Sequence, residues 1–480
     1  MLLALQEVRD GAQCVMRFLC LLLFCLVLPG FVDASGKPNF LFVIADDCTF
    51  RDLGCYGGQA KTPNIDKLAG DGLQFERCFQ AAPMCSPTRH NLYTGLYPVK
   101  SGAYPNHTFA KAGTQSVVHY LKPLGYRVAL SGKTHIKPKE VFPFEYSSKG
   151  NNPDLDEVDR LFSECSRKKT PFCLFACSNE PHSPWNKGDV SQYDAAKVEL
   201  PPYYVDTPET RDAFVRYLAE ISYYDWQVGE LLKRLDKHGL AGNTMVMVVS
   251  EQGNALPFAK WTCYENGVQS AMIVRWPGKV KAGTRTSAMV EYVDILPTFI
   301  EAAGGKPAPV LDGRSFMSVI KGQSTRHKDY VYAEMTTRGI INGSDTFGIR
   351  SVRGERYKYI LNFTPQIEFR NACTKSKEFR SWVAAADAGD KDAADKVRRY
   401  RHRAGVEVYD LDNDPYEWHN LAGKPEVYEI ETGLRAKLDA WMRAQGDQGQ
   451  ETELAARDRQ GGGRKKKGKR TGKKDKGVGS

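Results

Sequence analysis

Four short, mainly apolar runs set the strongest limit on how this chain can fold: residues 39–45, 126–130 (which includes Arg127), 171–177 and 244–249. Each is short and lacks polar alternation, so each suits a strand covered on both faces. Such strands need packed layers above and below them. Each run also hands over to polar residues at its C-terminal end. These are Asp46-Asp47, then Ser131-Gly132-Lys133-Thr134-His135, then Asn179-Glu180-Pro181-His182-Ser183-Pro184, and last Ser250-Glu251-Gln252-Gly253. Open α/β sheets place their ligands along that edge.

Two stretches carry chemistry on their own terms. Asp46 and Asp47 are adjacent carboxylates that repel unless a cation joins them, which suits a hard metal such as calcium; the alternative is a turn or N-cap pair. In Cys85-Ser86-Pro87-Thr88-Arg89, Pro87 fits the first turn of a helix beginning near Ser86, so Cys85 lies at its positive end. Unpaired N–H groups there favour an anion, and Arg89, one turn on, adds charge. The other reading is a buried structural cysteine. Lys133 and His135 could equally lie on a surface turn, and His182 could be an exposed spectator between prolines.

The Cys85–Arg89 stretch, extended by Leu92-Tyr93-Thr94-Gly95, resembles the type I sulfatase signature, in which the cysteine is oxidised after synthesis to formylglycine. Matching segments occur in order across residues 38–425. They include Leu53-Gly54-Cys55-Tyr56-Gly57-Gly58, the Gly-Lys-x-His element at 132–135, Pro-His-x-Pro at 181–184 and Asp412-Asn413-Asp414-Pro415-Tyr416-Glu417. Lys260-Trp261-Thr262-Cys263-Tyr264-Glu265-Asn266-Gly267 is similar to the family's Lys-Gly-Thr-x-Tyr-Glu-Gly-Gly.

The resemblance implies an alkaline-phosphatase-like α/β sandwich with a large mixed, mostly parallel sheet. It implies a sulfuric ester or sulfamate hydrolase that uses one calcium ion and a formylglycine made from Cys85. Asp46, Asp47, residue 85, Glu251 and Gln252 would hold the ion. Arg89, Lys133 and Lys260 would offset transition-state charge, His182 would act as general acid, and His135 would take a proton from the formylglycine hydrate as sulfate leaves. Glu251-Gln252 replaces the usual Asp-Asn or Asp-His; each side chain is one methylene longer, so either the backbone sits further back or the coordination differs. Gln269-Ser270 replaces the usual Arg-Val, for which a changed substrate surface is one explanation.

Residues 132–144 are similar to heparan N-sulfatases, which points to a sulfated carbohydrate substrate carrying either an N-sulfated glucosamine or an O-sulfated unit. Maturation would need a formylglycine-generating enzyme as partner, and no nucleic acid is expected. Two rivals remain: a phosphatase or phosphonate hydrolase of the same fold, and a non-catalytic binder of sulfated glycans.

The rest of the chain gives its organisation. Arg17, the apolar run at 18–28, Pro29-Gly30 and small residues up to Ala34 predict a signal peptide at 1–34, hence a secreted, periplasmic or lysosomal protein with no transmembrane anchor. A catalytic domain is expected at 35–328. From about residue 330, short alternating strands predict a C-terminal domain at 329–455 with a small antiparallel sheet, closed by a helix over about 427–444. Residues 375–403 are charged and Ala-rich and predict one or two exposed helices.

Of twelve cysteines, eight beyond the signal and Cys85 could form disulfides in an exported protein, although Cys173 and Cys177 read as core. The net charge of +10 is an end effect, because residues 457–480 hold eleven basic and two acidic side chains. A tail at 456–480 is therefore expected to be disordered. It is either a solvated extension or an electrostatic tether to a polyanion.

Overall fold

The computed structural model describes residues 36–147 and 150–460. The expected signal peptide lies outside them, as does the expected tail beyond Gln460. Nine strands make the large sheet: β1 (Asn39–Ile44), β2 (Leu73–Phe79), β3 (Arg127–Gly132), β4 (Glu145–Tyr146), β5 (Phe172–Cys177), β6 (Thr244–Val249), β7 (Gln269–Arg275), β8 (Thr284–Thr286) and β9 (Val290–Glu291). Their spatial order is β4-β3-β5-β1-β6-β7-β2-β8, with β9 also on β2. The pairs β3–β5, β5–β1 and β1–β6 are parallel, whereas β7 runs antiparallel to both β6 and β2. The sheet is thus mixed and mostly parallel, and the fold is the alkaline-phosphatase-like α/β class.

The mainly apolar runs follow from burial on both sides. Leu41, Val43, Leu174, Ala176, Val246 and Val248 face one layer, where the helices Leu155–Lys168 and Pro208–Lys237 supply Phe162, Phe214 and Leu218. Phe40, Phe42, Ile44, Phe175, Met245 and Met247 face the other, where the helices Cys85–Thr94 and Ile295–Ala302 supply Leu92, Tyr93 and Phe299. The period of two that defines a strand is present, but both phases are apolar.

A second sheet, β10 (Val331–Thr336), β11 (Gly348–Arg353), β12 (Tyr357–Asn362) and β13 (Val406–Asp410), is antiparallel throughout. The helix Tyr428–Gln445 covers one face through Leu434, Leu438 and Trp441. Residues 375–403 form two helices, Lys377–Asp387 and Lys391–Arg401. They are not simply exposed: Phe379, Trp382 and Tyr400 are fully buried, and Trp382 Nε1 donates to Thr210 Oγ1 at 2.8 Å. These aromatics let a charged segment join the two sheets.

Two further expectations are corrected. The nine described cysteines are all free, so the exported-protein disulfides are not formed among them. Residues 456–460 are not part of a disordered tail, because Ala456–Arg459 makes a helical turn and Gln460 bridges to Thr108. Apolar Ala456 anchors that turn against Val99 and Tyr104. Among the described residues no helix is long and apolar enough to cross a membrane.

Candidate active site

Because β3, β5, β1 and β6 are parallel neighbours, their C-terminal ends share one edge, and the polar residues after each strand converge there. Gly132 ends β3 at a φ of 99°, and a Cβ at that position would lie 1.9 Å from the carbonyl oxygen of Cys177. Only glycine permits the chain to turn there into Lys133. Cys85 opens its helix with Met84 as N-cap and Pro87 in the first turn, and the whole helix is buried.

Around the Cys85 sulfur lie Gln252 Nε2 at 3.0 Å, Asp47 Oδ1 at 3.9 Å and Lys133 Nζ at 4.0 Å. Lys133 pairs with Asp46, and Lys260 Nζ pairs with Asp47 Oδ2 at 2.6 Å. Arg89 lies 3.0 Å from Glu251 and 3.9 Å from Asp46, while His182 Nε2 is 3.6 Å from Asp47. The Gln252 amide also donates to Asp47 and Glu251, each at 2.8 Å. Three buried carboxylates therefore face three cations across a few ångströms, which keeps the net charge of a dry site tolerable.

His135 sits one step further out. Its backbone carbonyl accepts from Ser86 Oγ at 3.0 Å, and its Nε2 bonds Nδ1 of His107 at 2.9 Å. His107 escaped sequence analysis, since nothing in Pro105-Asn106-His107-Thr108 distinguishes it from a turn.

Burial dominates the protonation states. It pushes the Cys85 thiol up to about 12, with Lys260 pulling down and Glu251 and Asp47 pushing up. The helix terminus does not overcome this, so the residue is a protonated thiol at neutral pH rather than an activated thiolate. Burial also drives Lys133 down to about 8. His135 falls to about 2, through burial first and then the charge of Lys133. For Asp47, burial pushes upward, but Lys260 and His182 more than offset it and leave the carboxyl below its ordinary value. His182 is raised by Asp47 yet ends below its ordinary value through burial, Lys260 and Lys133.

The donor set suits a hard cation. Asp46, Asp47, Cys85 and Glu251 each offer an atom within 4.8 Å of the others, and the carboxylate oxygens are the ligand type calcium takes. The longer Glu251 and Gln252 side chains still reach the group. Gln252 Oε1 is buried without a partner, and rotating the amide would turn that oxygen toward a cation held among the carboxylates. Gln269 and Ser270, by contrast, are not substrate surface. Both are buried on β7, with Ser270 bonded to Tyr292 at 2.6 Å and Gln269 to the Glu76 carbonyl at 2.7 Å.

The backbone is strained where these loops meet. Asp47 (φ 61°), His107 (φ 57°), His135 (φ 50°) and Trp261 (φ 68°) all occupy the left-handed region. Non-glycine residues held there cost about 1–3 kcal/mol each and cluster at functional sites.

Comparison with known proteins gives the family. Residues 38–305 match the family profile described as Sulfatase, and residues 253–381 match that of the N-sulphoglucosamine sulphohydrolase C-terminal region. The chain belongs to the sulfatase family and is a sulfatase. An ulvan-active sulfatase of Formosa agariphila is 34% identical over 423 residues, covering 86% of this chain and 81% of that protein. Human N-sulphoglucosamine sulphohydrolase is 26% identical over 487 residues, covering 90% and 94%. The solved complex of BT4656 with its substrate D-glucosamine-2-N,6-O-disulfate shares the fold, with a TM-score of 0.64, 20% identity and coverage of 86% and 99%.

Proposed function

We propose that this sulfatase releases sulfate from a sulfated carbohydrate, using a formylglycine made from Cys85 and one calcium ion. The observation that carries the reading is the meeting of Cys85, Asp46, Asp47, Arg89, Lys133, His182, Glu251, Gln252 and Lys260 at one strand edge. Asp46, Asp47, Glu251 and Gln252, with residue 85, would hold the ion. When present, the formylglycine hydrate supplies a hydroxyl nucleophile and the ion supplies fixed positive charge beside the sulfuryl oxygens.

The remaining work falls to the chain's own side chains. Lys133, Lys260 and Arg89 orient the sulfate and offset the charge that builds on it, and their burial strengthens that effect by excluding water. His182 is partly exposed, and its Nδ1 lies 2.6 Å from the Ser183 carbonyl. That contact makes Nδ1 the donor, so Nε2 can carry a proton to the departing oxygen or nitrogen only in the imidazolium form, in which both ring nitrogens are protonated. His135 takes up a proton as sulfate leaves.

The substrate is narrowed by relatives named both for ulvan and for N-sulphoglucosamine. A panel of ulvan oligosaccharides, N-sulfo glucosamine and O-sulfo glucosamine, read by free sulfate, separates the two classes. An aryl phosphate turned over faster than the matching aryl sulfate would overturn the reading. So would intact-mass analysis that finds an unoxidised thiol at position 85 in the natively produced protein.

A further inference from the structure

We propose that His107 is the positioning residue of the site: it fixes which nitrogen of His135 is free to accept a proton. This rests on the role given to His135 above.

The two rings lie with centroids 4.9 Å apart and share one hydrogen bond, between His135 Nε2 and His107 Nδ1 at 2.9 Å. The other nitrogen of His135, Nδ1, is buried with no partner. A neutral imidazole carries one proton and one lone pair. If His135 holds its proton on Nε2 and donates to His107, Nδ1 is a bare lone pair, the one ring position open to a proton. In the opposite arrangement His107 donates, and His135 must carry an unpaired N–H at a buried position. An unpaired buried N–H is rarer than an unpaired buried acceptor, and this arrangement leaves no base. The pair therefore selects the working tautomer. After Nδ1 accepts a proton, both His135 nitrogens carry hydrogen and Nε2–H still donates to the same acceptor, so no rearrangement is needed. His107 keeps its own proton on the exposed Nε2 and stays neutral throughout.

The acceptor is held by Arg459 and Gln460, from far along the chain. Thr108 bridges to Gln460, and its Oγ1 donates to the Arg459 carbonyl at 2.6 Å. Gln460 Nε2 donates to the Asn106 carbonyl at 3.2 Å, and Arg459 donates to the carbonyls of Gly102 at 2.8 Å and Phe109 at 2.9 Å. Gly339 lies so close that a Cβ there would meet the Asn106 oxygen at 2.5 Å. Both flanks of His107 are thus pinned, and its left-handed backbone is enforced rather than chosen.

The test uses the matured full-length protein with nitrogen-15 histidine. In the wild type, NMR is expected to find His135 with a bare Nδ1 and a protonated Nε2. His107→Leu is expected to lose this single tautomer and to lower kcat by about 10–100-fold, as removal of histidine-orienting partners does, with KM within about two-fold. His107→Asn, whose Oδ1 can stand where Nδ1 accepts and which tolerates left-handed backbone, is expected to restore most of both. A protonated Nδ1 in the wild type overturns the proposal without any variant, as does a His107→Leu enzyme with unchanged kcat. If the wild type shows the expected tautomer but releases sulfate from neither a sulfate ester nor a sulfamate, the functional reading fails while the pairing stands.

Discussion

At the scale of single residues, the lysines separate charge compensation from packing. Replacing Lys133 or Lys260 by alanine is expected to lower kcat by about 10²–10³-fold, the loss typical of a preorganised charge donor, measured by sulfate release on a matured enzyme. The metal assignment is tested without turnover. Calcium at a hundred times its Kd is expected to stabilise the fold by about 2.7 kcal/mol, read as a rise in melting temperature, and Asp47→Asn should abolish that rise. A third residue reports on acid stability. Buried Asp294 is pushed up by desolvation but pulled further down by Lys328 and His327, to about 2 against an ordinary 3.8. Its ionised form favours the native state, so its stabilisation is complete above about pH 4 and fades as pH falls toward 2. Asp294→Asn should flatten the stability profile in that window. Sequence alone exposed most of the site, because Asp46, Asp47, Lys133, His135, His182, Glu251 and Gln252 follow apolar strands and Cys85 sits in a recognisable helix start. It missed His107 because a lone histidine in a turn carries no periodicity or spacing; only the fold brings it to His135.

At the scale of elements, the central strands were legible because their apolar runs admit no other packing. The segment 375–403 was half legible. Its charge predicted helices correctly, but the buried face made by Phe379, Trp382 and Tyr400 is spread too thinly among polar residues to stand out. Trp382→Ala is expected to cost about 3–5 kcal/mol, seen as a lower denaturant midpoint, because it removes a large buried side chain and its bond to Thr210. The cysteines were misleading for a related reason. Their number suggested cross-links, yet the sheet uses Cys173 and Cys177 as small apolar residues on buried strands.

At the scale of the whole molecule, the turn at Ala456–Arg459 reaches back to the loop that carries His107, so residues 350 positions apart in sequence meet beside the site. Deleting residues 461–480 is expected to leave the melting temperature unchanged and to weaken salt-sensitive retention on a sulfated polysaccharide resin. Retention that survives both the deletion and high salt would rule out the tether. The left-handed positions at 47, 107, 135 and 261 belong to four separate loops, and that distribution bears on how the protein can be improved. Selection for heat resistance alone would relax those loops first, since relief there is the cheapest gain open to the chain. The variants that endure longest would then be the ones that have stopped turning over substrate.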